Sequence, residues 1–496
     1  MSNRLESNDG WKRAKMSKLG SVVADRRYGH TRASLVSPWL QSWSGRITIC
    51  AVIPADSNPP PPQGAEARAE PAASVPPVLP PPLPSVKARP NYLPRVLVML
   101  LLGGGLLVLV ASLGKFVRAG DSTTAWQSPE TGVGYRNERI GRVPWSIHVV
   151  RVDRSNKGLG FYAALSENQV LGVSRISEQA RIVPADFGRP IAGVNGDFYE
   201  RDNRTYAGDP RGLQIMRGEL VSAPDTVCVW FDRKDVPHLD EVKGNFTVTW
   251  PGATRSPIGL NRQRLSDRIV LYTPTYGPSH RMRGGRDFIL QRDGSGPWLP
   301  LAASRTYRAR VREIKETADT ALPEDAMVLS VAPEQLNSIP ALEPGAVVEI
   351  STATTPDLSD VPTAIAGGPA LVRDGKPADF TPPRPGQAGS YSERSKYERH
   401  PRSAIGWNDQ HIFLLTVDGR QAGLSVGMTL AELADYMIKL GCTQGMNLDG
   451  GVSATMWLTG HIANSPCQGE RTIANALFVV RKAGPAQPYG PPKAGR

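Results

Sequence analysis

The sequence predicts an α+β domain, strand-rich with mixed sheets and a few helices, preceded by one transmembrane helix and a disordered tail. Three observations carry that expectation. β-branched and aromatic runs at 146–152, 226–231, 246–250, 269–272, 346–350 and 412–417 are bounded by Gly, Pro, Asn or Asp, the punctuation of short strands. Helical periodicity is confined to two stretches, and neither a βαβ alternation nor a fixed-period repeat orders the strands. Residues 96–114 form a run of nineteen without a charge, which at about 1.5 Å per residue is long enough for a bilayer core.

Taken in chain order, residues 1–53 are basic and lack sustained periodicity, as expected of a disordered tail. Between Pro54 and Pro94 stand 14 prolines in 41 residues, so 54–95 reads as an extended linker. The apolar run 96–114 is bracketed by Arg95 and Lys115, and Gly103, Gly104 and Gly105 would weaken a helix in water. A cleaved signal peptide is the competing reading, though the run is long and starts late. Lys87, Arg89 and Arg95 before it, against Lys115 and Arg118 after it, place the N-terminus in the cytoplasm and everything downstream outside. The folded domain is expected over 130–482 and a Pro/Gly tail over 483–496. One helix in the domain is well signalled. Thr429 and Glu432 form a capping box, Leu430, Leu433, Ala434 and Met437 follow the i, i+3, i+4, i+7 pattern, and Gly441 stands at the C-terminal cap. A weaker helix is expected over 177–184.

The net charge of +12 is concentrated outside this domain: residues 1–95 hold 13 Lys and Arg against 6 Asp and Glu. A nucleic-acid-binding core is therefore not implied. Cys50, Cys228, Cys442 and Cys467 contain no CxxC pair, which removes zinc modules and thioredoxin-type chemistry. Cys442 and Cys467 flank the Asp449 motif and could bridge in an oxidising compartment; a packed thiol at Cys442 is the plainer alternative.

Four polar clusters close apolar runs. At 191–199 (IAGVNGDFY) the run stops at Asn195, Gly196 and Asp197, which alone also describes an ordinary turn. At 365–375 (IAGGPALVRDG), Gly367 and Gly368 permit close backbone approach and Asp374-Gly375 suits a hairpin turn. At 400–420, Arg402 and Arg420 flank one short strand and could converge on an anion through their guanidinium forks, or be solvated surface residues. At 446–453 (MNLDGGVS), Asp449 stands between an apolar residue and two glycines, as a side chain placed at a strand end beside a ligand would. Other chemistries fit worse: the sequence has no HExxH and no GxxxxGK[ST], Ser453 lacks the second glycine of GxSxG, and Gly158-Leu159-Gly160 lacks the third glycine of a dinucleotide fingerprint.

In these residues the sequence resembles the phosphodiester glycosidase family. The resemblance runs in order through 195–199 (NGDFY), 367–369 (GGP), 402–406 (RSAIG), 417–420 (VDGR), 447–453 (NLDGGVS) and Glu470-Arg471 before a last strand. Asp197 and Tyr199 depart from the family's run, where a glycine and a phenylalanine stand. The resemblance implies cleavage between an anomeric carbon and a phosphodiester oxygen in a phosphorylated glycan or polysaccharide. Asp449 is then the leading carboxylate, with Asp418 or Asp197 as the second. Arg402, Arg420 and Arg471 are the phosphate-side candidates. Asn195 and Asn447 would bond sugar hydroxyls, and Gly368, Gly450, Gly451 and Ser453 would line the substrate. No cofactor or nucleic acid is expected, and a structural divalent metal is left open. The alternative is a non-catalytic glycan-binding or accessory factor in exopolysaccharide assembly, gripping an anionic sugar with the same clusters.

Overall fold

The computed structural model describes residues 121–266, 268–380 and 391–484. The expected tail, linker and membrane helix at 1–53, 54–95 and 96–114, and all but the first two residues of the 483–496 tail, lie outside the described residues. No helix among the described residues is long and apolar enough to cross a membrane.

Period-2 alternation builds two facing sheets. The first has nine strands, in the order Ser122–Thr123, Val133–Ile140, Trp145–Asp153, His411–Val417, Arg402–Trp407, Gln444–Asn447, Ala370–Arg373 and Lys376–Pro377, with Gln127–Glu130 also on Val133–Ile140. The second has five: His461–Ile462, Met456–Leu458, Gly188–Asn195, Asn475–Lys482 and Leu159–Leu165. Val150, Val152, Ile405, Trp407, Leu414 and Met446 of the first sheet pack against Phe161, Ala163, Ile191, Val194, Leu477 and Val479 of the second. The opposite face of the nine-stranded sheet, with Ile147, Val149, Ala404, Phe413 and Leu415, is covered by Leu430, Leu433, Ala434 and Met437 of the helix Leu430–Lys439. Both halves of that helix's capping box are formed, Glu432 N donating to Thr429 Oγ1 at 3.1 Å and Thr429 N to Glu432 Oε2 at 3.0 Å.

The weaker helix is shorter than expected, Ile176–Arg181, because Pro184 cannot extend it. Asp374 and Gly375, both with positive φ, make the hairpin turn between Ala370–Arg373 and Lys376–Pro377. The strands from 243 to 355 do not join the sandwich. They form an eight-stranded sheet of their own, whose single parallel pairing, Gly259–Leu260 with Ile269–Tyr272, makes the sheet mixed. Its core includes Phe246, Val248, Leu271, Phe288, Leu329 and Ile350. A further five-stranded sheet runs Pro237–Glu241, Val227–Phe231, Thr363–Ala366, Gln214–Met216, Glu219–Ser222.

Cys442 and Cys467 are free thiols rather than a bridge, and Cys442 is buried under the helix among Met437, Ala404 and Leu433. Burial pushes the Cys442 thiol up to about 12, so it behaves as a small hydrophobe.

Candidate functional site

Antiparallel pairing gathers the clusters at one end of the sandwich. Arg402, which begins its strand, sits opposite Val417, which ends the next; Ala404 sits opposite Asn447 and Ala476 opposite Asn195. Segments 195–201, 418–420, 447–453 and 470–472 therefore emerge together.

Asp449 is held by its backbone across the sandwich. Its N–H donates to Gly196 O at 2.9 Å, and its carbonyl accepts from Asn195 Nδ2 at 2.6 Å. Asn195, 1% exposed, is used up in this role: its Oδ1 accepts from Ser403 Oγ at 2.6 Å and from Thr455 N at 3.1 Å. The sequence expectation that Asn195 bonds a sugar is corrected to that of a strut. Gly450 and Gly451 follow because nothing larger fits. A Cβ on Gly450 would lie 2.7 Å from the Pro401 carbonyl, and Gly451 has φ +62°.

The Asp449 carboxyl is half-buried, accepts from Gly450 N at 2.8 Å, and is pushed up to about 6. Burial raises it, opposed by the Ser453 hydroxyl, the Gly450 N–H, Arg471 and Arg201. Arg471 therefore acts on the Asp449 carboxyl through its charge. The Arg420 guanidinium lies about 3.4–3.7 Å from where a Cβ on Gly451 would stand. Arg201 and Tyr199 are additions. Tyr199 is held by Thr472 O at 3.1 Å, and the charges of Asp449 and Arg471 both act on its hydroxyl. Arg201 is exposed and bonded to Asp202; the only sequence signal for it was its place two residues after the 195–199 motif.

Three expected roles change. Asp418, 2% exposed, has both oxygens occupied: His148 Nε2 at 3.0 Å, Asn464 Nδ2 at 3.0 Å and Ser465 N at 2.9 Å. It ties the loop of Arg420 to the loop at 464–465. Arg402 projects from the helix-covered face of its strand, where Nε donates to Met428 O at 2.9 Å and one terminal nitrogen to Ser395 O at 2.5 Å and Glu398 O at 3.0 Å. Those carbonyls, and not a phosphate, take up its fork. Asp197, 4% exposed, accepts from Phe198 N at 2.7 Å and Gly212 N at 2.8 Å, so its carboxyl braces the 197–212 loop. Burial, together with the neighbouring charge of Asp449, pushes it up to about 7.

Asn447 donates from Nδ2 to Gly368 O at 2.9 Å, and Gly368 N donates back to Asn447 O at 2.7 Å. The Asn447 Oδ1 is buried without a partner. Ser453 is buried beside Asp449 and Tyr199. Among the described residues no group of three or more His, Cys, Asp or Glu side chains could hold a metal ion.

Residues 305–480 match the model of the phosphodiester glycosidase family. The chain is similar to that family over this segment, roughly a third of its length, which contains every motif of the site except 195–201. A hypothetical protein from Synechocystis shares the chain's fold, with TM-score 0.57 and 20% identity over 73% of this chain and 64% of that one. The chain thus spans less than two thirds of that protein's length. A putative exported protein from Burkholderia pseudomallei K96243 gives TM-score 0.53 and 22% identity over 69% of this chain and 75% of that one. At these identities the likeness is one of fold. The zebrafish N-acetylglucosamine-1-phosphodiester alpha-N-acetylglucosaminidase catalytic domain, auto-inhibited by its pro-peptide, gives 0.37 and 13% over 73% and 83%, too low to carry an argument. No curated protein matches.

Proposed function

We propose that the domain hydrolyses a sugar-1-phosphodiester in a glycan or envelope polymer, breaking the bond between the anomeric carbon and the phosphate oxygen. One observation carries the reading: a half-buried carboxyl raised to about 6 stands among three arginines, Arg420, Arg471 and Arg201, of which two act on its charge and the third overlies its glycine neighbour. A carboxyl with that pKa is ionised at neutral pH yet poorly solvated, which suits attack on C1 or activation of a water. As the C1–O bond breaks, its electron pair passes to the phosphate oxygen, and the leaving group goes from one negative charge towards two. Arginines neutralise that growth, so strong protonation of the leaving oxygen is not needed. Asn447 Oδ1, the unpartnered acceptor, would take a sugar hydroxyl. Asp197, itself raised by the charge of Asp449, braces the 197–212 loop beside the site. Phosphomonoester accumulation by phosphorus NMR, from a panel of sugar-1-phosphodiesters, tests the reading. Absence of release across the panel with glycan binding retained would leave a binding module instead.

The reading includes anchoring through 96–114 with the domain outside the cytoplasm. A C-terminal alkaline phosphatase fusion to the full chain should be active, and a C-terminal green fluorescent protein fusion exported by the general pathway dark. The reverse pattern would reject that topology.

A further inference from the structure

His400 belongs to none of the roles above, yet it is the side chain that holds Arg420. Its backbone is bonded both ways to Met428, His400 N to Met428 O at 3.2 Å and Met428 N to His400 O at 3.0 Å. Gly427 packs so closely on it that a Cβ there would lie 2.4 Å from the His400 carbonyl. The His400 backbone is thereby fixed, and the imidazole Nδ1 lies 3.0 Å from a terminal nitrogen of Arg420. A guanidinium only donates, so Nδ1 carries the lone pair and the ring is neutral with its proton on Nε2. Nε2 faces Glu398 Oε2 at 3.2 Å. Burial, Arg402 and Arg420 hold the ring below its ordinary pKa against the opposing pull of Glu398, which keeps Nδ1 an acceptor.

Arg420 itself has φ +58°, a left-handed conformation that costs energy in an arginine and persists where surrounding contacts impose it. Its exposed guanidinium is bonded to a neutral ring and overlies Gly451. A carboxylate in place of the imidazole would orient the fork equally well and cancel its charge. A neutral acceptor orients it and leaves the full positive charge for an anion.

We propose that His400 is a positioning residue for Arg420, aiming its guanidinium over Gly451 at the phosphate of the substrate. The inference rests on the reading of Arg420 as a phosphate ligand, and its test is made on binding, so that it stands or falls apart from hydrolysis.

The test is calorimetric titration of the full chain with inorganic phosphate at pH 7.5. His400→Ala should weaken binding about tenfold, and combining it with Arg420→Ala should add nothing to Arg420→Ala alone. His400→Asn, whose side-chain oxygen can stand near the place of Nδ1, should bind within about twofold of wild type, whereas His400→Gln should resemble His400→Ala. A merely structural histidine would lose melting temperature in all variants without this split. Wild-type affinity in folded His400→Ala overturns the inference. So does an equal loss in the Arg420→Ala background, failure of His400→Asn to rescue, or a wild type that does not bind phosphate. Should His400→Ala not fold, the Asn and Gln pair decides. A wild type that binds phosphate but turns over no sugar-1-phosphodiester removes the hydrolase and leaves this inference intact.

Discussion

Replacing Asp449 with asparagine is expected to lower turnover about a thousandfold or more while the protein melts no lower than wild type. Asparagine keeps an oxygen for the Gly450 N–H and the Ser453 hydroxyl, so the local bonds survive. The charge is what is lost. In the folded protein the carboxyl is pushed up to about 6 from an ordinary 3.8, so the folded state holds its proton more tightly than the unfolded chain. Stability from this group is therefore present at low pH and lost as pH rises between those two values. Asp449→Asn should accordingly gain about 1–2 kcal/mol at pH 7.5, discounted for partial exposure, and close to nothing at pH 4. Wild-type turnover should fall as pH drops through about 6, where the carboxyl protonates. If Asp449 only capped a turn, the variant would lose melting temperature and keep its specific activity.

Asn195→Ala should have the largest effect on stability. It strands the Ser403 hydroxyl, the Thr455 N–H and the Asp449 carbonyl in a buried site, at a cost of about 3–5 kcal/mol in all. A fall in melting temperature of roughly 5–15 °C is the expected reading. Activity should fall with it, because Asp449 loses its clamp to the opposite sheet. An unchanged melting temperature would show that Asn195 does not join the two sheets.

Much of this was legible in the sequence. The capping box of Thr429 and Glu432, the Asp374-Gly375 turn and the run Asn447 to Ser453 are local signals, written within a few residues and read without tertiary knowledge. The misassigned roles share one cause. Arg402 and Ser403 are neighbours on one strand and point to opposite faces, so which of them meets the site depends on which face the five-stranded sheet covers. Asp418 carries a family motif, but its oxygens are claimed by His148 and by the 464–465 loop, partners 270 and 46–47 residues away. Long-range partners of that kind leave no local pattern. The eight-stranded sheet was hidden for the same reason, since its strands read like those of the sandwich and only their pairing separates them. Arg201 reaches Asp449 by charge alone, from an exposed loop with no periodicity.

The central claim is that the bond broken lies between C1 and oxygen. Hydrolysis of a sugar-1-phosphodiester in ¹⁸O-labelled water tests it most directly, with both products weighed by mass spectrometry. Attack at the anomeric carbon places the label in the sugar and leaves the phosphomonoester unlabelled, which is the predicted result. Label in the phosphate would mean P–O cleavage and would contradict the account.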